Sequence, residues 1–206
     1  MTSQIHTLSK IAASLLLCGL AAHASAAGTV VLDTYGPDIN NLEGWPTPLA
    51  LGKSVAVPFE ISSATSIESI LSTIDGVGGV TVGILARTGA LPTGTSWLHS
   101  THLVDPWANT TLTPTGWTLA AGSYWLAAVA DAGFEGQWQG ATNNPTGPWA
   151  ASTGGVWAEV NSSFIGSPGV RITVTSAVPE PSTYGLMFAG GLLLAAAVRR
   201  KSNPQG

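Results

Sequence analysis

Ser54-Val55-Ala56-Val57-Pro58-Phe59-Glu60-Ile61 alternates strictly, with Val55, Val57, Phe59 and Ile61 on one face. A period of two is the signature of a strand with one buried side. Pro58 has no amide hydrogen to give to a ladder, so the strand is expected to run at an edge or to bulge there. Working outward, runs rich in Val, Ile, Thr and aromatics recur between Gly, Pro, Asn and Asp clusters. They are Thr29 to Thr34, Val80 to Ala86, Ser96 to Val104, Thr110 to Leu119, Ser123 to Asp131, Gly155 to Val160 and Val170 to Thr175. That spacing predicts an all-β fold, a sandwich or jelly roll, and not a βαβ arrangement. Ser66 to Ile74 is ambiguous, because Ile67, Ile70, Leu71 and Ile74 fit helical spacing while the β-branched content fits a strand. Asp75-Gly76-Val77-Gly78-Gly79 reads as a turn.

The two ends read differently. In residues 1–26, Lys10 precedes an apolar run from Ile11 to Ala22, and Ala24-Ser25-Ala26 supplies small residues for a signal peptidase. Cleavage is expected after Ala26, with Ala24 as the alternative. The apolar run is too short to span a bilayer. Cys18 follows Leu17, where lipoprotein processing needs a small residue, so it reads as an ordinary apolar member of the segment. At the other end, Pro181 to Val198 carries no charge and is followed by Arg199-Arg200-Lys201. As a helix that stretch reaches about 27 Å at about 1.5 Å per residue, near the roughly 30 Å of a bilayer core. The three cations are expected to stay in the cytoplasm, which leaves residues 27–177 outside as one domain.

Immediately before the apolar stretch stands Val178-Pro179-Glu180-Pro181-Ser182-Thr183. The order Pro-Glu-Pro, apolar helix and basic end over 178–203, in a chain with a signal peptide, resembles the PEP-CTERM sorting signal. The resemblance implies processing near Pro179, Glu180 and Pro181 by an exosortase, a membrane-embedded transpeptidase-like enzyme, and a helix that holds the protein only for a time. Two prolines two residues apart keep that backbone extended and readable. The stretches Ser54 to Ile61, Val80 to Arg87 with Gly89-Ala90-Leu91-Pro92, and Trp117 to Leu126 with its Leu-x-x-Gly-x-Tyr-Trp-Leu pattern resemble the choice-of-anchor R domain. That resemblance implies a β-sandwich on an extracellular surface and transfers no catalytic residue. The sorting resemblance also implies association with exopolysaccharide or biofilm matrix.

Charge and cysteine content narrow the function classes. Residues 27–177 hold ten acids against Lys53, Arg87 and Arg171, a net −7, which repels phosphate backbones and argues against nucleic-acid binding. Cys18 is the only cysteine, so no disulfide or thiolate metal site is expected after processing. His99 and His102 are three apart, which on a strand puts them on opposite faces and unable to share a metal. Gly52-Lys53-Ser54 lacks the earlier glycine of a phosphate loop, Thr47 standing there, and Gly76-Val77-Gly78-Gly79 fails the dinucleotide pattern. No cofactor is expected. With no nucleophile elbow or calcium loop, the expectation is a non-catalytic protein, although ten scattered carboxylates leave a hydrolase with an acid pair open. Asn109-Thr110-Thr111 and Asn161-Ser162-Ser163 match glycan acceptor patterns, weak signals in a bacterial chain.

All eight tryptophans fall in 27–177. Trp97, Trp117, Trp125 and Trp157 lie in expected strands and are assigned to the core. Trp45, Trp107, Trp138 and Trp149 stand among Pro, Gly and Asn. They either cap the sandwich as lids or stack on sugar rings in a lectin-like module.

Overall fold

The computed structural model describes residues 28–36, 44–94, 96–140, 147–160 and 166–175. The signal-cleavage residues Ala24 and Ala26, the sorting residues Pro179, Glu180 and Pro181, the apolar stretch, Arg199, Arg200, Lys201 and the Asn161 acceptor lie outside them.

The described chain is all-β and contains no helix. Its strands, in order, are β1 Thr29–Asp33, β2 Thr47–Ala50, β3 Lys53–Ile61, β4 Thr65–Ser72, β5 Ile74–Val77, β6 Gly79–Ala86, β7 Trp97–Val104, β8 Thr110–Leu112, β9 Thr118–Leu119, β10 Gly122–Ala130, β11 Glu135–Trp138, β12 Trp149–Thr153, β13 Val156–Val160 and β14 Val170–Val174. They form two antiparallel sheets. The smaller runs β1-β14-β4-β8, with β9 sharing the outer edge of β4; the larger runs β5-β11-β2-β3-β10-β6-β7, with β12 and β13 added beside β3.

The alternation in β3 is realised. Val55, Val57, Phe59 and Ile61 enter one core cluster with Leu126, Val82 and Ile84 of the larger sheet and Ile70, Ile172 and Val174 of the smaller. Burial of apolar surface between two inner faces is the dominant force holding such layers together. Beside Pro58, β10 pairs without interruption, whereas β12 pairs only from Lys53 to Ala56. The proline thus sits where β3 has lost its second neighbour, and no bulge is needed.

Ser66 to Ile74 resolves as strand, and its helix-like spacing has a local cause. In the β4–β14 ladder Ser69 pairs Thr173 while Ile67 pairs Val174, so Glu68 is an extra residue. That bulge shifts the pleat by one and lets Ile67 and Ile70, three apart, both point into the core. The expected turn at Asp75 to Gly79 is corrected: Ile74–Val77 is strand β5, paired with β11, and the reversal falls on Gly78 at φ 100°. The single expected run Thr110 to Leu119 divides into β8 and β9 around Pro114 and Gly116, the latter at φ 76°.

The Leu119-x-x-Gly122-x-Tyr124 pattern closes a corner between β9 and β10. Tyr124 Oη donates to Ala120 O at 2.9 Å, and its ring packs on Phe59. This is the tyrosine-corner device of two-sheet β proteins, anchoring the entry to a central strand. The outer face of β10 carries a second cluster of Trp125, Leu85, Ala56, Ala127 and Ala150, against which Trp97 and Trp157 pack.

Candidate functional site

β1, β4 and β11 all terminate at one end of the two sheets, and β2, β8 and β14 begin there. A chain of backbone hydrogen bonds ties the loops at this end together. Gly140 N donates to Trp45 O (3.2 Å), Gln139 N to Thr73 O (3.3 Å), Gly169 N to Gln139 O (2.7 Å) and Asn109 N to Ser72 O (3.0 Å). Tyr35, itself buried, hydrogen-bonds Asn109 Oδ1 through its hydroxyl. Arg171 grips the same end, donating to Asp33 Oδ2 at 3.0 Å and Gly36 O at 2.8 Å.

The segment Asp105 to Asn109 stands out within this end. Asp105 and Asn109 are the two non-glycine residues with left-handed backbone among those described, at φ 47° and 75°. Such conformations persist where the surroundings over-determine them. Here Asp105 N donates to Gly78 O (2.9 Å), Gly76 N to Pro106 O (3.1 Å) and Thr110 N to Trp107 O (3.0 Å). Asp105 Oδ1 accepts from Gly78 N at 2.7 Å. Between the two strained residues, Trp107 has 77% of its surface in solvent, and Val104 and Val77, which precede Asp105 and Gly78 in the chain, are exposed as well.

The four loop-assigned tryptophans therefore separate. Trp45, 68% exposed, and Trp107 present indole surface at this end. Trp138 and Trp149 do not, and their assignment to sugar stacking is corrected: they are 0% and 3% exposed members of the main core. Both lie on strands and not in loops. Trp138 closes β11 between Thr47 and Ile74 and donates Nε1 to Gly169 O at 3.0 Å; Trp149 opens β12. Of the other four, Trp117 and Trp125 are buried and Trp97 and Trp157 are half-buried.

The two histidines face opposite ways along β7, as their spacing requires. His99 stacks on Trp117 with centroids 5.5 Å apart and meets Thr118 O at 3.0 Å. His102 pairs with Asp131 at 2.7 Å, both half-exposed. Among the described residues no group of three or more His, Cys, Asp or Glu is placed to hold a metal.

The opposite end carries the exit toward the C-terminal signal. Thr29 pairs Val174 across β1 and β14, so the two ends of the described domain leave side by side. Thr175 is clasped there: its amide donates to Ser66 O at 2.9 Å, and Thr65 Oγ1 donates to Thr175 O at 2.5 Å. A hollow of about 340 Å³, lined by Thr29, Val31, Ile61, Thr65 and Val174 among others, opens beside the clasp.

Residues 177–201 match the family model of the PEP-CTERM protein-sorting motif. The chain thus carries, directly after its last described strand, the C-terminal signal of exosortase-dependent sorting, which implies export through a membrane-anchored intermediate. No curated protein and no solved structure matches the chain. The motif and the loop position of Trp107 are legible in the sequence; the exposure of Val77 and Val104 and the left-handed backbone of Asp105 are not. Asp105-Pro106 was the available signal, since Asp before Pro favours a local turn.

Proposed function

We propose that this chain is an exported, non-catalytic surface protein, cut by an exosortase near Pro179-Glu180-Pro181 and retained at the cell surface or in the exopolysaccharide matrix. In this reading residues 1–26 are removed by signal peptidase, 27–177 form one β-sandwich ectodomain of the choice-of-anchor kind, and 178–203 hold it in the inner membrane until processing. The sorting motif at 177–201 is the observation that carries it. The position of that motif supports it further, because β14 ends at Val174 and only Ser176, Ala177 and Val178 separate Thr175 from Pro179. Arg199-Arg200-Lys201 then blocks transfer of the C-terminus across the bilayer.

The test is the intact mass of the mature protein from native cells with and without exosortase. Processing predicts a shorter species only where the enzyme is present, lacking the apolar stretch and basic tail. An identical C-terminus in both strains removes the sorting role.

A further inference from the structure

We propose that the Trp107 end of the domain is a binding site for a neutral polysaccharide, with the Trp107 indole as the platform for one sugar ring and Trp45 as a second platform on the same end. This deepens the surface-protein reading and takes only its orientation from it.

Three observations carry the site. First, Trp107 is the most exposed large apolar residue described, and its loop is rigid: six hydrogen bonds to segments 72–79 and 110 hold it, counting both made by Thr110 to Trp107 O. Backbone strain at Asp105 and Asn109 brackets it. A fold that over-determines two left-handed residues in order to hold an indole in water is poorly explained by packing, since Trp107 contributes nothing to either core cluster.

Second, the chemistry of the patch suits a sugar. The face of a pyranose presents C–H groups to an aromatic ring, and its equatorial hydroxyls seek acceptors at the rim. Asp105, two residues before Trp107, supplies a carboxylate whose Oδ1 accepts from Gly78 N at 2.7 Å. With ten acids against three bases in 27–177, an anionic polymer is repelled and a neutral one is not.

Third, competing occupants fit less well. A stable self-interface buries about 800 Å² per partner, whereas a fully buried aromatic side chain supplies about 150–250 Å². One exposed indole, even with exposed Val77 and Val104 added, falls well short of that area. A lipid surface is disfavoured by position: β1, β14 and β4 span from the Thr29–Thr175 exit to this end, and Asn109 N bonds Ser72 O at the end of β4, so the Trp107 loop lies at the end opposite the C-terminal exit.

The experiment uses the full chain in detergent, so it does not depend on processing. Retention is measured by depletion isotherms on insoluble cellulose, chitin and β-1,3-glucan, with alginate as the anionic comparison. The expected result is saturable retention on at least one neutral polymer and none on alginate. Trp107→Ala is expected to weaken it about tenfold or more, and Val156→Ala, exposed on the distant β13 edge, to leave it unchanged. Trp107→Phe keeps an aromatic face and should retain part of the affinity, which separates loss of the platform from loss of the fold. Absence of retention on all three neutral polymers overturns the proposal. So does equal retention by Trp107→Ala, equal loss in Val156→Ala, or self-association that Trp107→Ala abolishes in the absence of glycan binding.

Discussion

Replacing Trp138 and Trp107 in turn by alanine asks whether the separation of the tryptophans is physical. Trp138 is fully enclosed, pairs with both β2 and β5 and gives its indole hydrogen to Gly169 O. Truncation removes a large buried side chain and leaves a cavity that a strand wedged between two others cannot close, at a cost of about 3–5 kcal/mol. Against a total of roughly 5–15 kcal/mol for a domain, that is a large share. It corresponds to a fall in Tm of roughly 6–20 °C, taking about 2–4 °C per kcal/mol at this size. Trp107 has no such contacts, and its removal should change stability by about 0.5 kcal/mol or less. Urea unfolding followed by far-UV circular dichroism reads both without relying on tryptophan emission. If Trp107→Ala costs as much as Trp138→Ala, or if Trp138→Ala costs under about 1 kcal/mol, the assignment of one to a platform and the other to the core is refuted.

Three further substitutions probe the frame of the sheets. Alanine at Gly136 would place its Cβ 2.3 Å from Asp75 O and 2.8 Å from Gly76 Cα, both backbone atoms of the neighbouring strand. The variant should lose about 3 kcal/mol or more in chemical denaturation. Gly89→Ala, where nothing lies within 4 Å, should be neutral or gain about 0.4–1 kcal/mol. Tyr124→Phe removes the bond to Ala120 O and should lower stability by about 1 kcal/mol, visible as a modest fall in Tm with the native spectrum kept.

What the sequence showed and what it hid follow from how far each signal reaches along the chain. β3 was legible because one face is buried and the other is not, so its alternation is written into eight consecutive residues. β4 was not, because the bulge at Glu68 depends on its partner β14, about a hundred residues away, and turns a period of two into a spacing of three. Glu135-Gly136-Gln137-Trp138 and Ile74 to Val77 lack strand-like composition; they are extended because β11 lies between β2 and β5 and its amides find partners on both sides. For the same reason Trp138 looked like a loop residue and is core. Trp107 was legible because Asp105-Pro106 and Asn109 mark a true loop, yet the backbone that holds this loop, Ser72 to Gly78, lies about thirty residues earlier in the chain. The sorting motif needed no tertiary information, because it is a linear pattern of residues.

The pairing of β1 with β14 gives the domain a direction. Because Thr29 and Val174 are partners, the chain before the one and the sorting motif after the other leave the domain from the same place. The four steps from Thr175 to Pro179 can span at most about 14 Å, at about 3.3–3.6 Å per residue, so the clasp of Thr65 and Ser66 on Thr175 keeps the folded base within that reach of Pro179. The four steps from Thr29 to Asp33, at about 3.3 Å each, put the Asp33 end about 13 Å further out, and Asn109 N on Ser72 O ties the Trp107 loop to that end. Processing and binding are in this way assigned to opposite ends of the same strands, so a substitution at Trp107 is free to alter what the surface holds without altering how the chain is delivered.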